Sequence, residues 1–330
     1  MRVFALLAAT AILLVGAVGI GAARLLSPVD PQAADTIVVI RPGASTSGIA
    51  ETLQQAGVIR AASHFVLAAR IRGVARSLRE GEYRLSPAMP LLRIVDVLAR
   101  GDVVLHPVTI PEGFTADQIV RTLTRAGLGD AGRLQSLTRR GAGQFEYDFL
   151  RGVPQGRLEG YLFPDTYHIP RFLDEREVVD RFLAQFAQTV VPLWREAGTG
   201  RSLHEILTMA SMVEREAKSA GDQELIASVL YNRLTRGWRL EVDATVLYAL
   251  GQHKSIVTYE DLRVNSPYNT YLHAGLPPGP IANPGLRAIR AALYPARTAY
   301  FFYVARPDGS HAFSRTLSEH LANVRRFRRP

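Results

Sequence analysis

Val38-Val-Ile-Arg-Pro-Gly43 is a short β-branched run closed by a Pro-Gly turn, and the same arrangement returns at Val108-Thr-Ile-Pro-Glu-Gly113. Behind each turn stands a residue that caps helices, Ser45 in the first copy and Thr115 in the second. Apolar residues then follow at helical spacing (Ile49 and Leu53; Ile119 and Leu123), and Ala56-Gly57 or Ala126-Gly127 stops the helix. The pattern is strand, turn, helix, twice over. Because any strand–turn–helix shares part of it, the pair reads either as an internal duplication or as two units built on the same local rules. A second echo links Gly81-Glu-Tyr-Arg-Leu-Ser-Pro87 with Gly160-Tyr-Leu-Phe-Pro-Asp-Thr-Tyr-His-Ile-Pro170. Each is a short aromatic strand that runs into proline and then a helix, Leu91–Arg100 in one case and Glu175–Phe186 in the other. Strands and helices mixed in this way predict an α+β chain, with a small α+β unit over 36–105 and a larger one over 106–330.

Further along, Ser202 caps a helix predicted over Leu203–Ala217, and further helices are expected over Gln223–Thr235 and Asp243–Leu250. Residues 265–286 are too rich in Pro, Gly and Asn for a regular element. Ala299–Ala305 and His311–Thr316 read as a pair of strands joined by an Arg-Pro-Asp-Gly-Ser turn, before a last short helix and a basic tail. Segment 130–158, rich in Gly, Arg and Gln, reads as an irregular surface insertion.

Composition narrows the function classes. With 330 residues, 47% hydrophobic and 21% charged, the chain can bury one or two cores and is not a disordered polymer. Cysteine is absent, which excludes disulfides, thiolate metal sites, a Cys nucleophile and a lipidated N-terminal Cys. The net charge is +9, almost all of the basic residues being Arg, since only Lys218 and Lys254 are lysines. A basic surface suits anionic lipid, an anionic wall polymer or nucleic acid. The N-terminus chooses among them. From Val3 to Ala23 no residue is charged, and such a run spans roughly 30 Å as a helix, the thickness of a bilayer's hydrocarbon core. Gly21-Ala-Ala23 also fits a signal cleavage site, but a signal's apolar region is usually about 7–15 residues, so the run reads as a retained anchor over 1–24. A Pro-containing linker over 25–35 follows. Either way the rest of the chain lies outside the cytoplasm, and nucleic acid is not the expected partner.

The chemistry-bearing stretches are few. There is no Walker loop, no G-x-S-x-G elbow and no H-E-x-x-H, and no two of the eight histidines stand at helical ligand spacing, so neither metal nor cofactor is expected. Met209-Ala-Ser-Met-Val-Glu-Arg-Glu-Ala-Lys218 puts two carboxylates at the end of an otherwise apolar helix. A carboxyl beside apolar side chains is harder to ionise and can serve as a general acid near neutral pH. Residues i and i+2 point about 200° apart, so Glu214 and Glu216 cannot share one cleft. One would be the acid and the other structural, paired with Arg215, Lys218 or Arg233. Ser266-Pro-Tyr-Asn-Thr-Tyr271 offers the aromatic faces and carboxamide of a sugar site in Tyr268, Asn269 and Tyr271. Glu159 to Tyr167, with Glu159 and Asp165, has the same character and would form the opposite wall. Asp243 completes the candidate acidic residues.

These stretches together resemble a family. Glu159-Gly-Tyr-Leu-Phe-Pro-Asp-Thr-Tyr167, Ala210-Ser-Met-Val-Glu-Arg-Glu216, Ala227-Ser-Val-Leu-Tyr-Asn-Arg-Leu234, Tyr268-Asn-Thr-Tyr271 and Gly275-Leu-Pro-Pro-Gly279 are similar, in order and spacing, to the signatures of the YceG-like endolytic murein transglycosylases. The resemblance implies a single-pass inner-membrane enzyme with a LysM-like domain and a lysozyme-like α+β catalytic domain on the extracytoplasmic side, acting beside peptidoglycan synthases. It implies cleavage of nascent glycan strands between N-acetylmuramic acid and N-acetylglucosamine, leaving 1,6-anhydro ends. Such a lyase needs one carboxyl group, acting as acid and then as base. Among lysozyme-like transglycosylases that acid sits late in its helix before a small residue, which favours Glu216-Ala217 over Glu214-Arg215. Ala217 departs from the Ser or Thr often found there. The alternatives are a non-catalytic wall-binding protein and a hydrolytic muramidase.

Overall fold

The β-branched run Thr36–Ile40 (β1) alternates as a strand should, with Val38 and Ile40 buried and Ile37 and Val39 exposed. The computed structural model describes residues 27–251, 254 and 257–327. The predicted anchor over 1–24 lies outside them, and among the described residues no helix is long and apolar enough to cross a membrane. Two compact units share the chain. Among the described residues, one holds 27–106 together with His168–Phe172, and the other holds Pro107–Tyr167 and the described chain from Leu173 to Phe327.

In the first unit β1 pairs antiparallel with Gly81–Leu85 (β2), Thr36 opposite Leu85 and Ile40 opposite Gly81. Between them run Thr46–Gln55 (α1), capped by the Ser45 hydroxyl, and Ala62–Ile71 (α2). Leu91–Arg100 (α3) sets Leu91, Ile94, Val95 and Leu98 on one buried stripe and ends on Gly101 in the left-handed region. These side chains, with Phe65, Tyr83 and Leu85, form a single core. Glu82 is buried there between His106 Nε2, at 2.6 Å, and Arg171 Nη1, at 3.0 Å, which ties His168–Phe172 to this unit.

The repeat is visible in the fold. Leu105–Thr109 (β3) leads through Gly113 to Ala116–Arg125 (α4), where Thr115 and Gln118 make a reciprocal capping box. Thr166–Pro170 (β4) pairs with β3 and is followed by Glu175–Ala197 (α6), longer than the sequence pattern indicates. Between them lies a correction. Segment 130–158 is no irregular insertion: it opens with Ala131–Arg140 (α5), capped by Asp130, and buries Leu134, Leu137, Phe145 and Leu150. Its apolar residues are sparse because α5 is a short helix with one narrow buried face, flanked by 3-10 turns that carry no periodicity.

Leu203–Glu216 (α7) is the axis of the second unit. A Ser202–Glu205 capping box starts it, and from Ile206 to Val213 every residue is buried, so the middle of the helix is enclosed on all sides. It packs against Gln223–Thr235 (α8) and Leu286–Leu293 (α10), and touches Asp243–Leu250 (α9). Phe302–Ala305 (β5) and His311–Ser314 (β6) form an antiparallel hairpin against which Leu317–Phe327 (α11) lies.

Candidate active site

Charge on α7 stands only at its two ends, Glu205 in the capping box and Glu214, Arg215 and Glu216 in the last turn. Glu216 is its last residue, half-buried, and opens into a cavity of about 600 Å³. Three elements meet around it. From β5, the Tyr303 hydroxyl donates to Glu216 Oε2 at 3.1 Å. At the start of α9, the Ala244 backbone N–H also reaches the carboxyl, and Asp243 beside it lines the same cavity. Burial pushes the Glu216 carboxyl up to about 7, the nearby Asp243 charge adds to the rise, and the Tyr303 and Ala244 donors oppose it. A carboxyl that titrates near neutrality and faces open space can both give and take a proton.

The rest of the cavity is held rigidly. Tyr271 donates to Asp243 Oδ1 at 2.5 Å, which fixes the position of that charge. Arg233, on α8, donates to the carbonyls of Phe301 and Leu240 and pairs with Glu241 at 3.1 Å. It thereby clamps the segment before α9 to the chain entering the hairpin. Glu241 sits at φ 52, in the left-handed region that a residue with a Cβ disfavours, and its N–H is held by the Thr270 carbonyl. The chain is bent there to deliver Asp243 to the cavity. His311, buried against Asp222 at 2.9 Å, presses edge-on to the Tyr303 ring and limits where its hydroxyl can point.

The other sequence candidates divide. Glu214 faces away from Glu216: its Oε2 accepts from Gly285 N at 3.1 Å, and burial raises its carboxyl as well. The ion pairs expected for it are not made. Arg233 pairs with Glu241, and Arg215 and Lys218 form no ion pair among the described residues. Glu159 is buried elsewhere, its Oε1 accepting from Ala116 N and Asn283 Nδ2, both at 2.9 Å, and its Oε2 from Tyr248 Oη at 3.2 Å. Tyr271 lies with Glu216, but Tyr268 stacks near Tyr248 and lines a separate recess with His204 and Pro280. Asn269 is fully buried, with Nδ2 on the Leu262 and Val264 carbonyls and Oδ1 on Tyr271 N. Its carboxamide holds the loop together and presents nothing to a sugar. Asp165 binds Gln185 and its own following N–H at the surface and reaches neither cavity. So the structure gathers Glu216, Asp243 and Tyr271, and disperses Glu214, Glu159, Asp165, Tyr268 and Asn269. Tyr303 and His311 are the residues the sequence reading missed as site members. The Ala299–Ala305 run is apolar throughout, with only Val304 fully buried, so its sequence carries no alternation that would have singled out Tyr303, and His311 lies on the returning strand.

Comparison with known proteins agrees with the signatures. Residues 38–326 match the YceG-like family. The chain belongs to the YceG-like family. One relative, the endolytic murein transglycosylase of Bacillus subtilis, is 35% identical over 93% of this chain and 89% of its own length. The endolytic murein transglycosylase of Streptococcus pneumoniae strain D39 is 31% identical over 91% of this chain, which spans 60% of that longer protein. A crystal structure of a YceG-like protein from Listeria monocytogenes superposes with a TM-score of 0.60 at 35% identity, covering 88% of this chain and all of the other. The YceG-like core is therefore shared along nearly the whole described chain.

Proposed function

We propose that this YceG-like protein is an endolytic peptidoglycan transglycosylase with Glu216 as its single acid and base. The observation that carries the reading is one carboxyl, raised to about 7, with one side-chain donor and an open cavity before it. In the protonated form Glu216 delivers its proton to the oxygen that links N-acetylmuramic acid to N-acetylglucosamine. The C1–O bond breaks and positive charge grows on C1 and the ring oxygen. Asp243, held in place by Tyr271, lies in the same cavity and stabilises that charge. The muramyl 6-hydroxyl then attacks C1, the new C1–O6 bond closes the anhydro ring, and the hydroxyl proton passes to the Glu216 carboxylate. The acid is regenerated without water entering the balance. Tyr303 and the Ala244 N–H keep the carboxyl aimed in both states.

A second reading rests on Asp243. A retaining or inverting hydrolase needs a carboxylate opposite its acid, and Asp243 occupies the Glu216 cavity. Product mass separates the two on purified glycan strands: anhydro ends are lighter by one water than the reducing ends a muramidase leaves. Reducing ends alone would overturn the transglycosylase; no cleavage would leave a wall-binding protein. The charge-free run Val3–Ala23 supports single-pass anchoring in the inner membrane with both units outside the cytoplasm, where the enzyme would work beside peptidoglycan synthases. The first unit, a small α+β body with its own core, fits the LysM-like module of this reading.

A further inference from the structure

A second cavity of about 310 Å³ lies on the other side of the α7 terminus and is lined by Arg121, Arg139, Arg157 and Arg215. It adjoins the Glu216 cavity at two points in the chain. Arg215 lines one and Glu216 the other; Ala244 lines one and Asp243 the other. Four guanidinium groups around one concavity are an unusual concentration of like charge, and the protein neutralises only one of them. Arg139 makes a double hydrogen bond to Asp117 at 3.0 and 3.1 Å. The guanidinium groups of Arg121, which is exposed, and of Arg157, which is half-buried, make neither an ion pair nor a hydrogen bond among the described residues. Arg215 has only a long 3.5 Å bond to the Gly113 carbonyl. The one other carboxyl in the lining, Glu159, spends both oxygens on Ala116, Asn283 and Tyr248. Guanidinium forks left without acceptors in a recess are the donor set that planar oxyanions require.

We propose that this cavity is an oxyanion subsite of the enzyme, in which Arg121 and Arg157 grip an anionic substituent of the glycan strand whose backbone lies at Glu216. The inference rests on the transglycosylase reading for its substrate. Murein strands carry such groups in two places, the carboxylates of their peptide side chains and the phosphates of a lipid-linked end. Neutral sugar alone would not need the arginines, so the subsite would let the enzyme distinguish substituted from bare glycan.

Binding, read without turnover, tests it. In a Glu216→Gln background, labelled strands would be titrated in three forms: released with native peptides, released with the peptide carboxylates converted to amides, and still lipid-linked. Charge-assisted hydrogen bonds of this kind change affinity by about tenfold or more. The expected result is that native strands bind about tenfold or more tightly than amidated ones, and that Arg121→Ala with Arg157→Ala removes the difference. Arg121→Lys with Arg157→Lys, which keeps the charge and loses the fork, should restore part of it. If amidation changes nothing but lipid-linked strands bind more tightly until both arginines are removed, the oxyanion is phosphate and the subsite stands. Equal, tight binding of every strand by every variant overturns the subsite and leaves the transglycosylase intact. No binding of any strand overturns both.

Discussion

The surroundings of Glu216 and of Glu159 make an instructive pair, because burial pushes both carboxyls up to about 7 while their hydrogen bonding differs. Glu159 is 7% exposed and meets three donors from three separate segments, the start of α4, the Asn283 loop and α9. Asn283 in turn accepts from Gly160 and Leu162 N–H, so the carboxyl closes a network that pins loops together. Glu216 has one side-chain donor and an open cavity of about 600 Å³. A raised pKa alone therefore does not mark a catalytic acid. Both border a cavity, and what separates them is that Glu159 has both oxygens engaged whereas Glu216 keeps hydrogen-bonding capacity unspent.

The strongest way to break this contrast is to remove each acid while keeping its shape. A general acid supplies roughly 10²–10⁴ in rate, so Glu216→Gln should lower anhydro-product formation by that factor with an unchanged or slightly raised melting temperature. Glu159→Gln should keep the rate and the melting temperature close to those of the unaltered protein. Its amide oxygen can accept from Ala116 and Asn283 while its nitrogen donates to the Tyr248 oxygen, so those two donors keep their acceptor and Tyr248 turns from donor to acceptor. Glu214→Gln should cost little activity, since Glu214 points to Gly285. An inactive Glu159→Gln enzyme beside an active Glu216→Gln enzyme would reverse the assignment.

Truncation sharpens the structural half. Glu159→Ala strips an acceptor from three buried donors, and unsatisfied donors cost about 1–3 kcal/mol each, partly relieved by water. Chemical denaturation should show a loss of about 3 kcal/mol or more. The charge also predicts a pH slope. The folded protein holds the Glu159 proton more tightly than the unfolded chain, whose carboxyl ionises at its ordinary value of 4.5. Stability is thus full below about 4.5 and falls as pH rises to about 7, by on the order of 3 kcal/mol. Glu159→Gln should flatten that share of the slope, and an unchanged slope would mean the carboxyl is not held neutral.

Asn269 belongs on the Glu159 side of the contrast. Asn269→Ala leaves the Leu262 and Val264 carbonyls and the Tyr271 N–H without their partner and should cost about 2 kcal/mol of stability. Activity per folded molecule should change far less. A variant with wild-type melting and poor turnover would return Asn269 to the sugar.

How legible this was depends on range. Local rules carried far: Ser45, Thr115 and Ser202 cap the helices they precede, and the turn glycines Gly43 and Gly113 both adopt φ near 75. The same two glycines show where local reading stops. A Cβ on Gly43 would meet nothing within 4 Å, whereas one on Gly113 would lie 3.4 Å from Glu214 Cγ. Identical turns thus have different neighbours, and only packing decides which one borders the site. The divergence of Glu214 and Glu216 followed from helix geometry. The presence of Asp243 beside Glu216 did not, because it depends on how α9 is hung from Arg233 and the bent Glu241. Asn269 was misread because a buried carboxamide that satisfies its own loop has the same sequence as one that greets a ligand.

The finest test concerns what tunes Glu216. The proposed reaction uses its acid form, so under that proposal the rate should fall as pH rises through about 7. Two neighbours act on that limb with opposite sign. The Asp243 charge disfavours a second negative charge in the cavity and raises the carboxyl, whereas the Tyr303 hydroxyl bonds the ionised form and lowers it. Asp243→Asn should therefore move the falling limb to lower pH, and Tyr303→Phe should move it to higher pH. Both variants will also lose some rate, Asp243→Asn because the charge growing at C1 loses its counterpart. The direction of the shift is separate from that loss and is read from kcat/KM across pH. Shifts in the same direction, or none, would mean that Glu216 is tuned by burial alone and that its two neighbours serve the substrate instead.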